Sequence, residues 1–350
     1  MDKAKPVFPG TLRIDSKGLK VYVKTASSWK ESPARLPEAM HVIRLFRAHN
    51  MFDFLIDRKN PRFLKGQLSP DGKCQGARIN ILPDGRKLDK AYSLFARQLT
   101  IHDETSNTHW DVLYMNPGGT YSYIYTLEKR QVAVREKYRE VEDFERLYPK
   151  LERNVLLALR DQKDAMAVPM YTLLKTRMRI GNEIYYKAHG HKGLATLKKG
   201  DISIAGNRVT FNYLSKGGVP VNTTVEFPDS YMNRLKVLLK GKDDSSYIFT
   251  TESGHPLSDS HFKVAFRRYC GRGFYPHIVR SYHATRRAKE FLATHSTATK
   301  KEIREFFTLL AEDLGHKRFS KKDQQWKDSY TVTIHSYIQP EVLERVQALA

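Results

Sequence analysis

The chain has 350 residues, 40% of them hydrophobic and 11% aromatic, which is enough for a sizeable core and a length that suits two domains better than one. No run of about 18 apolar residues occurs, and the start, MDKAKPVFPG, lacks the apolar stretch of a secretory signal, so membrane and export readings lose support and an intracellular location is expected. The 60 Lys and Arg against 38 Asp and Glu leave a net charge of +22, which attracts a polyanion through counterion release and makes nucleic acid the expected partner.

In chain order, the first 110 residues alternate short apolar clusters with turn signals such as Ser69-Pro70-Asp71-Gly72 and Pro83-Asp84-Gly85, which predicts a mixed, β-containing region. Cys74 and Cys270 lie far apart without CxxC spacing, so neither a disulfide framework nor a zinc site is expected. The segment YMNPGGTYSYIY predicts a turn at Asn116 to Gly119 and then an aromatic strand with Tyr123 and Tyr125 on one face. From about Val132 the period becomes helical, through Val141, Phe144 and Leu147, then Leu151, Val155 and Leu159 after a break at Pro149. The expected domains are therefore residues 1–131 and 132–350. A helix is predicted from Pro169 to Arg177. A three-stranded meander follows, with Ile202 and Ile204, then Val209, Phe211 and Tyr213, then Val221, Thr223 and Val225, turning at Gly206-Asn207 and Lys216-Gly217-Gly218. The remainder is helical: Phe262 to Tyr269 ending at Gly271, Tyr282 to Leu292, a helix opened by a capping box from Thr299 to Glu302 and closed at Gly315, and a last helix from Pro340. The fold class is thus α+β, with a β-rich N-terminal domain and a mainly α-helical C-terminal domain holding a small three-stranded antiparallel sheet.

Arg179, Lys216, Arg280 and His316 each sit at the edge of an element, and Tyr337 precedes the final helix. Singly, each has an ordinary explanation as a solvated turn residue or a surface ion pair. Together they fit one task, attack of a phenol on a phosphodiester. Two guanidiniums and an imidazole can hold the charge that builds on a pentacoordinate phosphate, because arginine offers a planar fork of donors matched to phosphate oxygens. A lysine at a hairpin tip can protonate the leaving 5′ oxygen. Neighbouring cations favour the ionised form of a phenol.

These residues stand in segments that resemble the type IB DNA topoisomerases. TRMRIGNEIYYKAHGHKGLATL, Thr176 to Leu197, is similar to that family's R-[IF]-G-x-x-x-Y signature followed by G-L-x-T-L. The resemblance makes Arg179 the first catalytic arginine and Tyr185 a DNA contact. FNYLSKGG resembles the hairpin of the general-acid lysine, Lys216. IVRSYHAT resembles the R-T-[YW]-x-x-[TN] segment and makes Arg280 the second arginine, LGH yields His316, and HSYIQPEV yields the nucleophile Tyr337. Upstream, GTYSYIY is similar to the family's G-x-x-x-Y-x-Y strand, implying backbone contacts from Tyr123 and Tyr125. The resemblance covers roughly the last 220 residues, and nothing before residue 110 contributes to it.

The pattern departs from the family in three places. His277-Ile278-Val279-Arg280 forms an H-x-x-R box like that of tyrosine recombinases where the family usually has lysine, which makes His277 a DNA-binding candidate. His316 and Tyr337 are 21 residues apart, farther than in compact members, with the charged insertion KRFSKKDQQWKDSY between them. That insertion supplies a rival phenol, Tyr330, expected on a more mobile segment. The resemblance implies a monomer that clamps double-stranded DNA and relaxes supercoils through a 3′-phosphotyrosine. No cofactor and no metal are expected, since the sequence has neither a P-loop motif nor an acidic metal cluster. A tyrosine recombinase or integrase, sharing nearly the same residues, and a non-catalytic architectural DNA-binding protein are the alternative readings.

Overall fold

A computed structural model describes residues 7–102 and 110–350. The chain forms two compact units, Met1–Glu136 and Lys137–Ala350.

The first unit carries β1 (Leu12–Ile14), β2 (Val21–Lys24), β3 (Trp29–Glu31), α1 (Pro37–Ala48), β4 (Gln67–Leu68), β5 (Cys74–Gln75), β6 (Ile79–Ile81), β7 (Lys87–Tyr92), β8 (Arg97–Ile101), β9 (Val112–Met115) and β10 (Tyr121–Ile124). The strands form an antiparallel sheet in the order β3-β2-β1-β4-β5, a β6-β7 pair and a β10-β9-β8 meander. Helix α1 opens on Pro37, whose missing N–H costs nothing in a first turn, and buries Ala39, Val42, Ile43 and Phe46 along one stripe. That stripe joins a core with Ile14, Ile79, Tyr92 and Ile124. The β-containing reading of this region left α1 unnamed, although the spacing of those four residues is a helical signal.

The second unit is mainly helical: α2 (Leu127–Ala158), α3 (Ala167–Thr176), α4 (Glu183–His189), the sheet β11 (Ile202–Ala205), β12 (Arg208–Ser215) and β13 (Val219–Glu226), then α5 (Asp229–Leu239), α6 (Asp259–Cys270), α7 (Ile278–Thr294) and α8 (Lys300–Asp313). The chain ends with β14 (Lys317–Ser320), β15 (Gln325–Asp328), α9 (Thr331–Ser336) and α10 (Pro340–Gln347). The unit boundary falls inside α2. Among the described residues, no helix is long and apolar enough to cross a membrane.

Several local rules operate as the sequence predicts. The β11-β12-β13 meander is antiparallel, with Val209, Phe211 and Tyr213 buried at alternate positions of β12. Pro220 lies in β13, an edge strand that can spare a donor. The Thr299 hydroxyl accepts from the Glu302 amide at 3.2 Å while the Glu302 carboxylate accepts from the Thr299 amide at 2.7 Å, the reciprocal cap expected for α8.

Two expectations are corrected. Pro149 does not break the helix: α2 runs through it for 32 residues. An internal proline forfeits one helical hydrogen bond and costs about 3 kcal/mol, but Tyr138, Val141 and Phe144 before it and Leu151 and Val155 after it are all buried, so packing on both sides keeps the axis continuous. The insertion between His316 and Tyr337 is a regular hairpin, β14 paired with β15 from Lys317↔Asp328 to Ser320↔Gln325. Its Phe319 and Trp326 rings meet edge to face at 5.4 Å. Tyr330 caps α9, and its ring lies 5.9 Å from Phe307 against the helical core, so it is packed rather than carried on a loose segment.

Candidate active site

The strand of chain that carries Arg179 is held by a close backbone crossing. Arg177 ends α3 in the left-handed conformation at φ 55°, and the chain then passes Gly193 with a second left-handed residue, Gly181 at φ 84°. The Leu194 amide donates to the Arg179 carbonyl at 2.8 Å and the Ala195 amide to the Ile180 carbonyl at 2.7 Å. A Cβ on Gly193 would stand 2.5 Å from the Arg179 oxygen, closer than real Cβ atoms come, so the two glycines of the R-I-G and G-L segments exist to let these backbones touch. The Arg179 side chain is half-buried.

Arg280 lies in the first turn of α7, fully enclosed at 3% exposure. Its guanidinium donates to the carbonyls of Arg177 at 2.7 Å and Leu314 at 2.8 Å and to His316 Nε2 at 2.9 Å. Because arginine has no acceptor, His316 Nε2 must accept, so the imidazole proton sits on Nδ1 and is donated to Thr333 Oγ1 at 2.7 Å. Burial, opposed by the Tyr337 oxygen and reinforced by Arg179, pulls the Arg280 pKa down from its ordinary value. A buried guanidinium satisfied by carbonyls and an imidazole rather than a carboxylate is incompletely compensated. Its Nε remains a buried donor with no partner among the described residues.

Tyr337 follows α9, and its amide donates to the Thr333 carbonyl at 3.0 Å. The ring is 3% exposed, with the Arg280 guanidinium 5.0 Å from its centroid and the His316 and His277 rings at 5.1 and 5.3 Å. Its hydroxyl lies 2.8 Å from His277 Nε2. The backbone on either side is gripped by Thr285, whose hydroxyl donates to the Tyr337 carbonyl at 3.3 Å and accepts from the Gln339 amide at 3.1 Å. Tyr138 donates to the Ile338 carbonyl at 2.6 Å, and Lys137 bonds the Ser336 carbonyl with its ammonium 5.5 Å from the Tyr337 centroid. Sequence reasoning missed these supports, although Thr285 closes the segment that begins at Arg280.

Arg280, His316, Tyr337 and His277 thus form one contact cluster. Arg179, Lys216, Tyr185 and His277 line one cavity of about 400 Å³, which His277 shares with that cluster. Lys216 occupies the exposed turn between β12 and β13. Tyr185, capped into α4 by Asn182, lies 4.5 Å from the His189 ring. In the first unit, Tyr123 is 41% exposed on β10, while Tyr125 falls one residue past the strand and is half-buried, its amide bound by Asp89 at 2.9 Å. The exposed face of β10 is shared instead by Tyr121 and Tyr123.

His277 and His316 are both driven down to a pKa of about 3, first by burial and then by Arg280 and Arg179. Both imidazoles are neutral in the folded protein at neutral pH, so His316 does not enter as a cation. Their ordinary value is near 6.5, so between pH 6.5 and 3 the unfolded chain binds more protons than the folded one, and stability is lost as the pH falls through that window. At pH 5 each histidine withdraws about 2 kcal/mol. The urea midpoint of the protein is expected to drop between pH 7 and pH 5, and His316→Gln to flatten the dependence. A midpoint unchanged over that range would contradict the buried neutral pair.

A family model described as the eukaryotic DNA topoisomerase I catalytic core matches residues 127–339. Over 143 residues the chain is 27% identical to the DNA topoisomerase 1B of Acanthamoeba polyphaga mimivirus, a match covering 39% of this chain and 42% of that protein. The chain therefore spans less than half the length of that curated relative. Among solved structures, the XerH site-specific recombinase bound to palindromic difH substrate, a post-cleavage complex, aligns at 18% identity and a TM-score of 0.38, covering 59% of this chain and 51% of that one. The XerA recombinase aligns at 18% identity and a TM-score of 0.34, covering 57% and 61%.

Proposed function

From the premise that this chain belongs to the family of the eukaryotic DNA topoisomerase I catalytic core, the type IB topoisomerases, we propose that it relaxes supercoiled double-stranded DNA by transient cleavage of one strand through a 3′-phosphotyrosine at Tyr337. The observation that carries this reading is the Tyr337 hydroxyl 2.8 Å from His277 Nε2, beside a buried arginine bonded to His316.

The phenol oxygen attacks phosphorus while its proton passes to His277 Nε2. An imidazole as weakly basic as His277 takes little of that proton in the free site; an entering phosphate anion raises its basicity, so substrate arms the base. Arg179 and Arg280 hold the charge that accumulates on the non-bridging oxygens, while His316, neutral with its proton on Nδ1, orients the Arg280 guanidinium through Nε2. As the bond to the 5′ oxygen breaks, the Lys216 ammonium gives that oxygen its proton. Stored torsion drives rotation of the freed strand. Religation runs in reverse: the 5′ hydroxyl attacks the phosphotyrosine, Lys216 recovers its proton, and His277 returns one to the phenol. One phosphoester replaces another at each step, so no ATP is consumed. Tyr123, Tyr125 and Tyr185 contribute backbone contacts, and contacts of this kind make binding steeply salt-dependent and weakly sequence-specific.

The purified protein is expected to relax both positive and negative supercoils as a monomer in EDTA without nucleotide, and to become covalently attached to DNA under the same conditions. An absolute requirement for ATP or Mg²⁺ would overturn the reading. Strand exchange between two labelled duplexes, in place of relaxation, would favour a recombinase.

A further inference from the structure

The turn that presents Lys216 is closed by one backbone bond, from the Gly218 amide to the Ser215 carbonyl at 2.9 Å, but no side chain of its own packs on its tip. Gly217 and Gly218 follow the lysine with φ of 79° and 76°, and no heavy atom lies within 4 Å of where a Gly217 Cβ would stand. Two successive glycines leave such a turn free to sample many conformations, whereas proton delivery in a transition state demands a defined position. At Gly218 the surroundings differ. Trp326 Cζ2 comes within 4.0 Å of the corresponding Cβ position, and His191 Nε2 within 3.6 Å.

Trp326 belongs to β15, in the hairpin inserted between His316 and Tyr337. The hairpin is rooted in the candidate active site: β14 begins directly after His316, and the Ser329 amide returns to the His316 carbonyl at 3.4 Å. Phe319, cross-strand partner of Trp326, stacks its edge on the indole and limits where that ring can go. The inserted segment therefore carries a ring, oriented by its own cross-strand pair, from the base of the site to the tip of the neighbouring hairpin.

We propose that the β14–β15 hairpin braces the Lys216 turn, with Trp326 as the positioning residue that holds the lysine where it can protonate the leaving 5′ oxygen. Trp326 does not touch the reacting atoms; it acts through Gly218. The proposal rests on the reading of Lys216 as the proton donor.

Single-turnover cleavage of a suicide duplex, carrying either the natural 5′ oxygen or a 5′-bridging sulfur at the scissile phosphate, tests it. Sulfur leaves without a proton, so only steps that depend on Lys216 are spared. Trp326→Ala is expected to slow the oxygen substrate roughly 10- to 100-fold and to leave the sulfur substrate near the wild-type rate. Because the sulfur reaction still needs a folded protein, bound DNA and Tyr337, its survival separates a lost brace from a damaged fold. Trp326→Phe, which keeps an aromatic ring, is expected to recover most of the oxygen rate. Equal losses on both substrates, the result for a tryptophan that serves only DNA affinity or stability, would overturn the brace, as would an unchanged oxygen rate. Lys216→Ala run in parallel separates the two claims: rescue of that variant by sulfur without rescue of Trp326→Ala overturns the brace alone, and no rescue of Lys216→Ala removes the lysine's role and the brace with it.

Discussion

Tyr337→Phe is expected to abolish covalent attachment to DNA, by roughly 10⁴-fold or more, while Tyr330→Phe stays close to the wild-type rate. The two phenols are separated by their surroundings. Tyr330 spends its ring on Phe307 and the helical core around it. Tyr337 has an imidazole at its hydroxyl, a guanidinium 5.0 Å from its ring and a second imidazole at 5.1 Å, and Thr285, Tyr138 and Lys137 fix the backbone around it. A nucleophile must be held in a near-attack position beside groups able to receive its proton and steady a phosphate, and the proposed candidates for both surround residue 337. Removing the hydroxyl leaves one ring nitrogen of His277 without its partner, which costs about 1 kcal/mol, so the variant should still fold and bind DNA. Trapping the wild-type complex on a suicide duplex and sequencing the nucleotide-bearing peptide provides the direct check. An adduct on Tyr330, or undiminished cleavage by Tyr337→Phe, would sink the assignment.

Lys216→Ala is expected to cut single-turnover cleavage by about 10²-fold or more, the range of a lost general acid, with little change in DNA affinity. Lys216 lines the cavity that it shares with Arg179 and His277, on an exposed turn. A 5′-bridging phosphorothiolate should restore the rate, because the thiolate departs without a proton. A lysine that only contacted backbone phosphate would show weaker binding and no sulfur rescue. A solvated turn lysine would show neither effect.

Much of the framework for these experiments was readable along the chain because it is local. Alternation in Val209, Phe211 and Tyr213, the Thr299 and Glu302 cap, and glycine after α6 each report an interaction among near neighbours. The motif residues were legible for a related reason: each is marked by residues beside it, as Arg179 is by the glycines that let its backbone be crossed. Local signals also misled. Pro149 reads as a stop, yet burial on both sides of it overrides the lost hydrogen bond. The insertion after His316 reads as a charged loop because its five basic residues hide the cross-strand pair of Phe319 and Trp326.

By itself, then, the sequence determined the α+β class, the β11-β12-β13 meander and helices α3, α6, α7, α8 and α10 of the C-terminal region, though not α4, α5, α9 or the β14-β15 hairpin, and it pointed to a polyanionic partner and to the set of residues from which a phosphotyrosine site can be assembled. The tertiary structure alone decided what those residues do to one another. His277 and Tyr337 are 60 positions apart, and nothing in either segment announces that an imidazole designated for DNA contact meets the hydroxyl of the nucleophile candidate. The neutrality of His316, the burial of Arg280 without a carboxylate and the reach of Trp326 to Gly218 are likewise products of packing. Periodicity and caps are encoded between residues a few positions apart, whereas ionisation states and long-range contacts depend on desolvation, which exists only once distant segments have closed over a site.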